Sequence, residues 1–221
     1  YVRHNATPKN VAELRLVINA GSVQEDDDQQ GLAHFTEHMA FNGTRSFAKN
    51  QIIDFLQQIG VGFGSDLNAY TSFDETVYQL PVPTDKAGNL EKAFTVMEEW
   101  ASAITFLDAD IDNERNIILE ESRLGKGAED RMFQKLYPLL LAGSKYATRL
   151  PIGKDSIIGL FKPEALRRFY KQWYRPHLMA VVVVGDVDTR MAESLVKKHF
   201  GHLQNPAAAP KRMEEPLPPF A

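Results

Sequence analysis

The segment His34-Phe35-Thr36-Glu37-His38 constrains the fold of this chain more than any other feature. If the segment is helical, the two histidines lie one turn apart on one face, with Glu37 beside them. Apolar residues recur at helical spacing on a neighbouring face, and Asn42-Gly43 supplies a stop signal. The pattern therefore predicts a helix that buries one face in a core and carries two imidazoles and a carboxylate on another face.

Two imidazoles at this spacing can bind one cation, and the order H-x-x-E-H inverts the zinc protease motif H-E-x-x-H. A catalytic zinc site needs three protein ligands and one open position. The chain has no cysteine, so the third ligand must be a histidine or a carboxylate. The pattern thus indicates a metal site that is completed by a distant part of the chain.

The best source of a third ligand is the segment 112–123, which is predicted to be helical. Glu114 and Glu121 lie two turns apart along one stripe, with two isoleucines, Ile117 and Ile118, on the same side. Glu120 points about 100° away from Glu121. A carboxylate embedded beside isoleucines is costly to bury unless it is paired or bound to a metal. Taken alone, the segment also fits a solvated acidic face.

At this point the chain resembles the N-terminal catalytic domain of the pitrilysin/insulysin family of zinc metallopeptidases, the inverzincins. The likeness runs in order from about residue 10 to residue 200. The matching stretches are Ala20–Ser22, Gly31–Met39, Phe41–Thr44, Asn68–Thr71, Glu114-Arg115 with Glu120-Glu121, Phe169-Tyr170, Trp173–Pro176 and Val181–Asp186. The run from Asn68 to Tyr78 resembles the bacterial periplasmic members most closely.

The resemblance implies an α+β fold, with a mostly antiparallel sheet and helices packed on one face. It implies one zinc ion per chain, bound by His34, His38 and Glu121, while Glu114 supports the site by contacting a ligand rather than the metal. Glu37 would act as general base toward the attacking water. Thr36 departs from the family pattern, where many members carry leucine, and this change could alter packing between the ligands.

The resemblance also implies a peptide substrate that lies extended along a sheet edge. That edge would be formed by Asn68, Ala69 and Tyr70, with Phe41 near the residue after the scissile bond. An ordinary edge strand and a core aromatic are the competing interpretation of these four residues. The function expected is therefore zinc-dependent endopeptidase activity on peptides or small unfolded proteins.

Two other functions stay open. The chain could be a zinc- and peptide-binding half-domain that is inactive alone and serves as a subunit of a two-part protease, since complete enzymes of this kind enclose substrate between two homologous halves. A non-proteolytic zinc hydrolase would use the same ligands. The expected partners are thus a peptide and a second homologous half-domain, on the same or a separate chain.

The composition of the chain argues against other functional classes. The net charge is −4, so no basic field favours nucleic acid, and no run approaches eighteen apolar residues, so no membrane span is predicted. The chain begins at Tyr1, so we expect any signal peptide to be missing, and we expect a periplasmic or other extracytoplasmic location. Residues 1–204 are predicted to form the catalytic domain, and the proline-rich residues 205–221 a linker toward a second domain.

Periodicity predicts the remaining elements. Strands are expected at Ala12–Ala20, Asn68–Ser72, Thr76–Val82 and, in a central position, Val181–Val184. Helices are expected at Lys49–Ile59 and Leu90–Ile104, around Phe133–Leu140, from Pro163, and from Asp188 or Thr189 to Phe200. Gln24–Gln30 is predicted to be a solvated acidic loop rather than a cation site, and Gly60–Gly64 a bend.

Overall fold

The structure is a computed structural model that describes residues 1–61, 68–86, 88–207, 210–212 and 214–216. In this part of the chain, one sheet of five strands is combined with eight α-helices. The strands are β1 (Val2–His4), β2 (Val11–Ile18), β3 (Asn68–Thr71), β4 (Thr76–Pro83) and β5 (Met179–Gly185). The helices are α1 (Leu32–Asn42), α2 (Gln51–Gln58), α3 (Asn89–Ser102), α4 (Asp108–Gly125), α5 (Ala128–Leu140), α6 (Asp155–Ile158), α7 (Pro163–Trp173) and α8 (Thr189–Phe200).

The sheet has the strand order β1-β5-β2-β4-β3. Only the β1–β5 pair is parallel among these strands, and the other three pairs are antiparallel. The predicted α+β class with a mostly antiparallel sheet is therefore confirmed. The four predicted strands are present, and β5 lies between two neighbours, as expected for a central strand.

One face of the sheet carries the core. Along β2, the alternate residues Ala12, Leu14, Leu16 and Ile18 are fully buried, whereas the residues between them are half-buried or exposed. Alternation with period two is what a strand with one covered face requires. Helices α1 and α3 contact strands of the sheet, and α4 and α7 contact α1, which agrees with the expected architecture.

An aromatic contact fixes helix α1 over this face. Trp100 of α3 stacks on Tyr78 of β4 with ring centroids 5.1 Å apart, and both side chains are buried. The indole Nε1 of Trp100 also donates a hydrogen bond to the carbonyl of Ala40 in α1, at 2.9 Å. The orientation of α1 thus follows from its packing against both the sheet and α3.

The loop before α1 differs from its prediction. Asp26, Asp27 and Asp28 are exposed, but Glu25 is fully buried. Its carboxylate accepts hydrogen bonds from the backbone N–H groups of Gly31, at 3.1 Å, and Ala33, at 2.8 Å. Burial raises the pKa of Glu25 to about 8 and outweighs the opposing effect of these donors. The prediction of a solvated loop is wrong for Gln24, Glu25, Gln29 and Gln30, which are buried. Glu25 is buried because the first turn of α1 needs acceptors for its free N–H groups.

A second loop lies directly on the start of α1. Gly153 has a φ of +78°, and a Cβ atom there would lie 2.3 Å from the Cα atom of Gly31. The same loop is held by Arg149, whose carbonyl accepts from the Ser22 hydroxyl at 2.6 Å and whose Nε donates to the Glu25 carbonyl at 3.2 Å. Only glycine allows this approach of two backbones.

The predicted helices are all present, but α5 does not bury its apolar side. Leu136, Leu139 and Leu140 are 38%, 76% and 62% exposed. Asp188 caps α8 by accepting from the backbone N–H of Met191 at 2.8 Å. The predicted bend at Gly60–Gly64 falls outside the described residues from position 62 onward.

Part of the predicted linker contacts the domain. Arg212 donates to the carbonyl of Asn19 at 2.8 Å and to Asp74 at 3.3 Å, and Glu215 accepts from the backbone N–H of Lys145 at 2.6 Å. Residues 208, 209, 213 and 217–221 of this segment lie outside the described residues. Within the described chain, no helix combines the length and the apolar character that crossing a membrane requires.

Candidate metal centre

The three predicted ligands lie close together on the face of α1 that carries the two histidines. The Nε2 atoms of His34 and His38 are 3.1 Å apart. The carboxylate oxygens of Glu121, on α4, lie 3.8 Å from the Nε2 of His34 and 3.5 Å from the Nε2 of His38. Ligand atoms about 2.0–2.1 Å from a tetrahedral zinc ion would be about 3.3–3.5 Å apart, so this donor set fits the ion.

Glu114 and Asn42 set the orientation of His38. The Nδ1 of His38 lies 2.8 Å from Glu114 Oε1, and Asn42 Nδ2 donates to Glu114 Oε2 at 2.7 Å. Because an ionised carboxylate only accepts, Nδ1 carries the proton. The Nε2 lone pair of His38 therefore faces His34 and Glu121, which is the tautomer that ligation needs.

The pKa values of the two imidazoles are shifted in opposite directions. Burial lowers the pKa of His34 to about 3, and His38 adds to this effect. Burial disfavours charge on His38 and is the largest single effect, but the hydrogen bond to Glu114 and the charges of Glu114, Glu37 and Glu121 together outweigh it and raise the pKa of His38. Burial would raise the pKa of Glu114, yet the bonds from His38 and Asn42 lower it. The site thus holds one neutral imidazole and one imidazole paired with an anion.

The surroundings of Glu121 differ from the expectation of a carboxylate embedded between isoleucines. The side chain of Glu121 is 50% exposed, and Ile117 is 53% exposed. The buried stripe of α4 contains Glu114, Ile118 and Ser122, which follow one another at intervals of four. Glu121 lies on the adjacent stripe, at the rim of the site, where its oxygens reach both histidines.

Glu37 lies beside this cluster and is nearly buried, with 8% of its surface exposed. Burial raises its pKa, and a hydrogen bond from the Thr71 hydroxyl to Oε2, at 2.6 Å, opposes that effect. The side chain borders two cavities. We call them the Phe41 cavity, of about 400 Å³ with Phe41, Ile53 and Ile117 in its wall, and the Tyr70 cavity, of about 370 Å³ with Tyr70, Pro151 and Ile152. A carboxylate between two cavities is suited to proton transfer with a molecule that spans both.

The predicted substrate-binding residues lie around these cavities. Ala69 borders both, Phe41 only the first and Tyr70 only the second. The hydroxyl of Tyr70 donates to Glu75 at 2.8 Å. Asn68 begins strand β3, but its side chain lies outside the described part of the structure. Strand β3 ends the sheet and pairs with β4 alone among the described strands.

Two residues that contact site residues, Asn42 and Thr71, were not predicted to belong to the site. Asn42 follows His38 by four residues on α1, and Thr71 follows Ala69 by two on β3, so helical and strand periodicity could have indicated both. Thr36 turns away from the site. It is fully buried and donates to the carbonyl of Leu32 at 2.7 Å, which replaces apolar packing at this position.

Comparison with known proteins gives consistent results. Residues 1–140 match the family model for insulinase (peptidase family M16), and residues 161–221 match that for the peptidase M16 inactive domain. A curated relative, "Probable zinc protease PqqL" of Haemophilus influenzae, is 44% identical over 206 residues, which are 93% of this chain and 22% of the relative.

Two solved structures are also similar. The first half of the periplasmic protease PqqL from Escherichia coli superposes with a TM-score of 0.90 at 41% identity, over 96% of this chain and 45% of that one. The ferredoxin protease FusC, in complex with Arabidopsis ferredoxin, gives a TM-score of 0.87 at 30% identity, over 96% of this chain and 23% of that one. The chain thus spans about a fifth of the length of the curated relative.

Proposed function

The chain belongs to peptidase family M16, and from this premise we propose that it is the zinc-binding catalytic domain of an endopeptidase. The observation that carries the proposal is the approach of His34, His38 and Glu121 within 3.1–3.8 Å, next to the nearly buried carboxylate of Glu37. Peptides or small unfolded proteins are the proposed substrates.

Different residues of the chain have different roles in the proposed hydrolysis. A zinc ion held by His34, His38 and Glu121 would supply a Lewis acid that acidifies water and polarises the peptide carbonyl. Glu37 takes a proton from the attacking water and passes it to the leaving amine. Its raised pKa suits this exchange, because a carboxylate with a higher pKa accepts a proton more readily and can still donate it to the more basic leaving amine. Glu114 keeps His38 in the ligating tautomer throughout.

The substrate would bind as an added strand along the open edge of β3. Main-chain hydrogen bonds provide affinity in this mode, and pockets for alternate side chains provide specificity. The Phe41 cavity would receive the residue after the scissile bond, since it lies on one side of Glu37 and has apolar walls. FusC, described with bound ferredoxin, supports a protein substrate for a domain of this fold.

A second candidate is a zinc- and peptide-binding half-domain that is inactive alone. The chain spans only 22% of the relative from H. influenzae and 45% of the first half of E. coli PqqL, which supports this candidate. A second homologous half would then provide the opposite wall of the substrate site. We also propose a periplasmic location, because the E. coli protein is described as periplasmic.

Cleavage of a fluorogenic peptide library, with and without a chelator, tests the proposal. We expect the chain to bind one zinc ion and to cleave poorly by itself, and a longer form with the second half to cleave well. Absence of zinc binding would refute both candidates. Full, chelator-sensitive activity of the 221-residue chain would refute the second candidate alone.

A further inference from the structure

Strand β3 and the proposed general base are joined by one hydrogen bond. The hydroxyl of Thr71 donates to Oε2 of Glu37 at 2.6 Å. This is the range of charge-assisted O–H···O⁻ bonds, which are about twice as strong as neutral ones. Among the side chains that the structure describes, Thr71 is the one that hydrogen-bonds the carboxylate of Glu37.

From this geometry we infer that Thr71 is a positioning residue, which holds Oε2 of Glu37 and leaves Oε1 to accept the proton from water. The inference rests on the proposed function of Glu37 as general base. Turnover would then depend also on Thr71, which is not a metal ligand and lies on β3 rather than on α1 or α4.

A glutamate needs such a contact here. Its carboxylate is carried by three rotatable bonds and lies beside two cavities. A displacement of about 1 Å at a catalytic group can lower a rate by about 100-fold. The alternation of β3 places Thr71 on the same side as Ala69, which borders both cavities next to Glu37. The hydroxyl therefore comes from the strand that flanks the substrate site.

The position of Thr71 has a further consequence. Thr71 directly follows Asn68, Ala69 and Tyr70, the proposed binding edge, in a strand of four residues. A peptide that adds to this edge orders the backbone that carries the Thr71 hydroxyl. Because the Thr71 hydroxyl hydrogen-bonds Glu37 and not a described side chain of the proposed binding edge, its loss should lower kcat while KM changes little.

Three substitutions separate this role from simple structural support. Thr71→Val removes the hydroxyl and keeps the branched shape, and Thr71→Ser keeps the hydroxyl. Thr76→Val is the matched control, because Thr76 is the residue paired with Thr71 on β4 and its buried hydroxyl donates to the carbonyl of Ala20 instead. For each variant, kcat and KM are measured with the zinc-loaded protein, either as the 221-residue chain or as the longer form with the second half, whichever is more active.

We expect Thr71→Val to lower kcat about 10- to 100-fold, with unchanged zinc content and less than about a threefold change in KM. Thr71→Ser should restore most of the rate, and Thr76→Val should lower stability without this loss of kcat. Normal kcat in Thr71→Val, or an equal loss in Thr76→Val, would overturn the inference.

Two further measurements keep the test decisive. If Glu37→Gln retains turnover, the proposed function fails; if Glu37→Gln loses turnover while Thr71→Val does not, only the inference about Thr71 fails. Crystal structures of both Thr71 variants give a readout without activity. We expect the Glu37 carboxylate to move by about 1 Å or more in the valine variant and to stay in place in the serine variant. An unmoved carboxylate in the valine variant would overturn the inference.

Discussion

The Nδ1 of His38 lies 2.8 Å from Oε1 of Glu114, which joins the helix that carries two predicted ligands to the helix that carries the third. Glu114 is 5% exposed, so this bond forms away from bulk water. A buried bond to an ionised group is stronger than an exposed one. The contact therefore fixes both the tautomer of His38 and the approach of α4 to α1.

Removal of the carboxylate of Glu121 should abolish the metal site. Glu121→Gln takes away a negative ligand, and we expect zinc affinity to fall more than about 100-fold, as measured by competition with a chromogenic chelator. Glu120→Gln is the matched control, because Glu120 is paired with Arg123 at 2.6 Å. Loss of zinc in the control but not in Glu121→Gln would show that the ligand assignment is wrong.

Removal of the base should separate binding from chemistry. Glu37→Gln keeps the size of the side chain but cannot accept a proton, so we expect a rate at least about 100-fold lower with zinc still bound. Zinc content and peptide cleavage measured on the same preparation check this outcome. Turnover close to normal would eliminate Glu37 as the base.

Zinc binding should depend on the protonation of one histidine rather than two. Zinc requires neutral imidazoles, and His34 has a pKa of about 3, whereas the pKa of His38 is raised. From the pKa of His38 down to about pH 5, each pH unit should therefore weaken zinc binding about tenfold. Zinc titrations at several pH values measure this slope. A hundredfold change per unit would mean that His34 is also protonated in the metal-free site.

Glu25 should make stability decrease as pH rises. Its pKa is raised from 4.5 to about 8 in the folded chain, so above pH 4.5 the unfolded chain releases this proton first. The stability that the protonated form contributes is complete below about pH 4.5 and is lost as pH rises through about 8, by up to about 1.4 kcal/mol per unit.

Urea unfolding with a chelator present, at pH 5, 6.5 and 8, checks this expectation. The free energy of unfolding of the parent should fall relative to that of Glu25→Gln as pH rises. Asp26→Asn, in the same loop but exposed, should stay parallel to the parent. Parallel curves for all three proteins would show that burial does not raise the pKa of Glu25.

Gly153→Ala should disturb the site from a distance. A Cβ atom at Gly153 would overlap the backbone of Gly31, and the φ of +78° disfavours alanine independently. We expect a loss of a few kcal/mol in the free energy of unfolding, together with weaker zinc binding, because α1 starts at this contact. Gly143→Ala is the control, since it has a similar φ of +87° but open space around it. Equal effects in both variants would attribute the loss to backbone strain alone.

Local patterns in the sequence predicted α1 and the strands because helix and strand periodicity depend on nearby residues. The side of α4 that is buried could not be predicted in this way. Glu114 and Glu121 fit one stripe in an isolated helix, but packing against α1 and α6 buries the stripe with Ile118 and Ser122, and Ile117 stays exposed. The ligand set itself remains a prediction that the distances favour.

Glu25 illustrates a second limit. Its neighbours are three aspartates, so composition favours a solvated loop. Its burial depends on the N–H groups of Gly31 and Ala33, and on Arg149, more than a hundred positions away in the sequence. Contacts over such separations leave no local pattern. The exposure of the apolar side of α5 could not be predicted for the same reason. An apolar pattern predicts the helix but not whether another part of the protein covers it.

The contact between His38 and Glu114 also has a consequence for the order of folding. The two residues are 76 positions apart, and four elements, α2, β3, β4 and α3, lie between them in the sequence. Contacts across such loops form late, because chain closure is costly until the intervening elements are in place. A nascent chain that has folded only α1 offers two histidines without their carboxylates. High-affinity zinc binding should therefore follow tertiary folding. Because the ion binds the folded chain more tightly than the unfolded one, its binding would then shift the equilibrium toward correctly folded molecules.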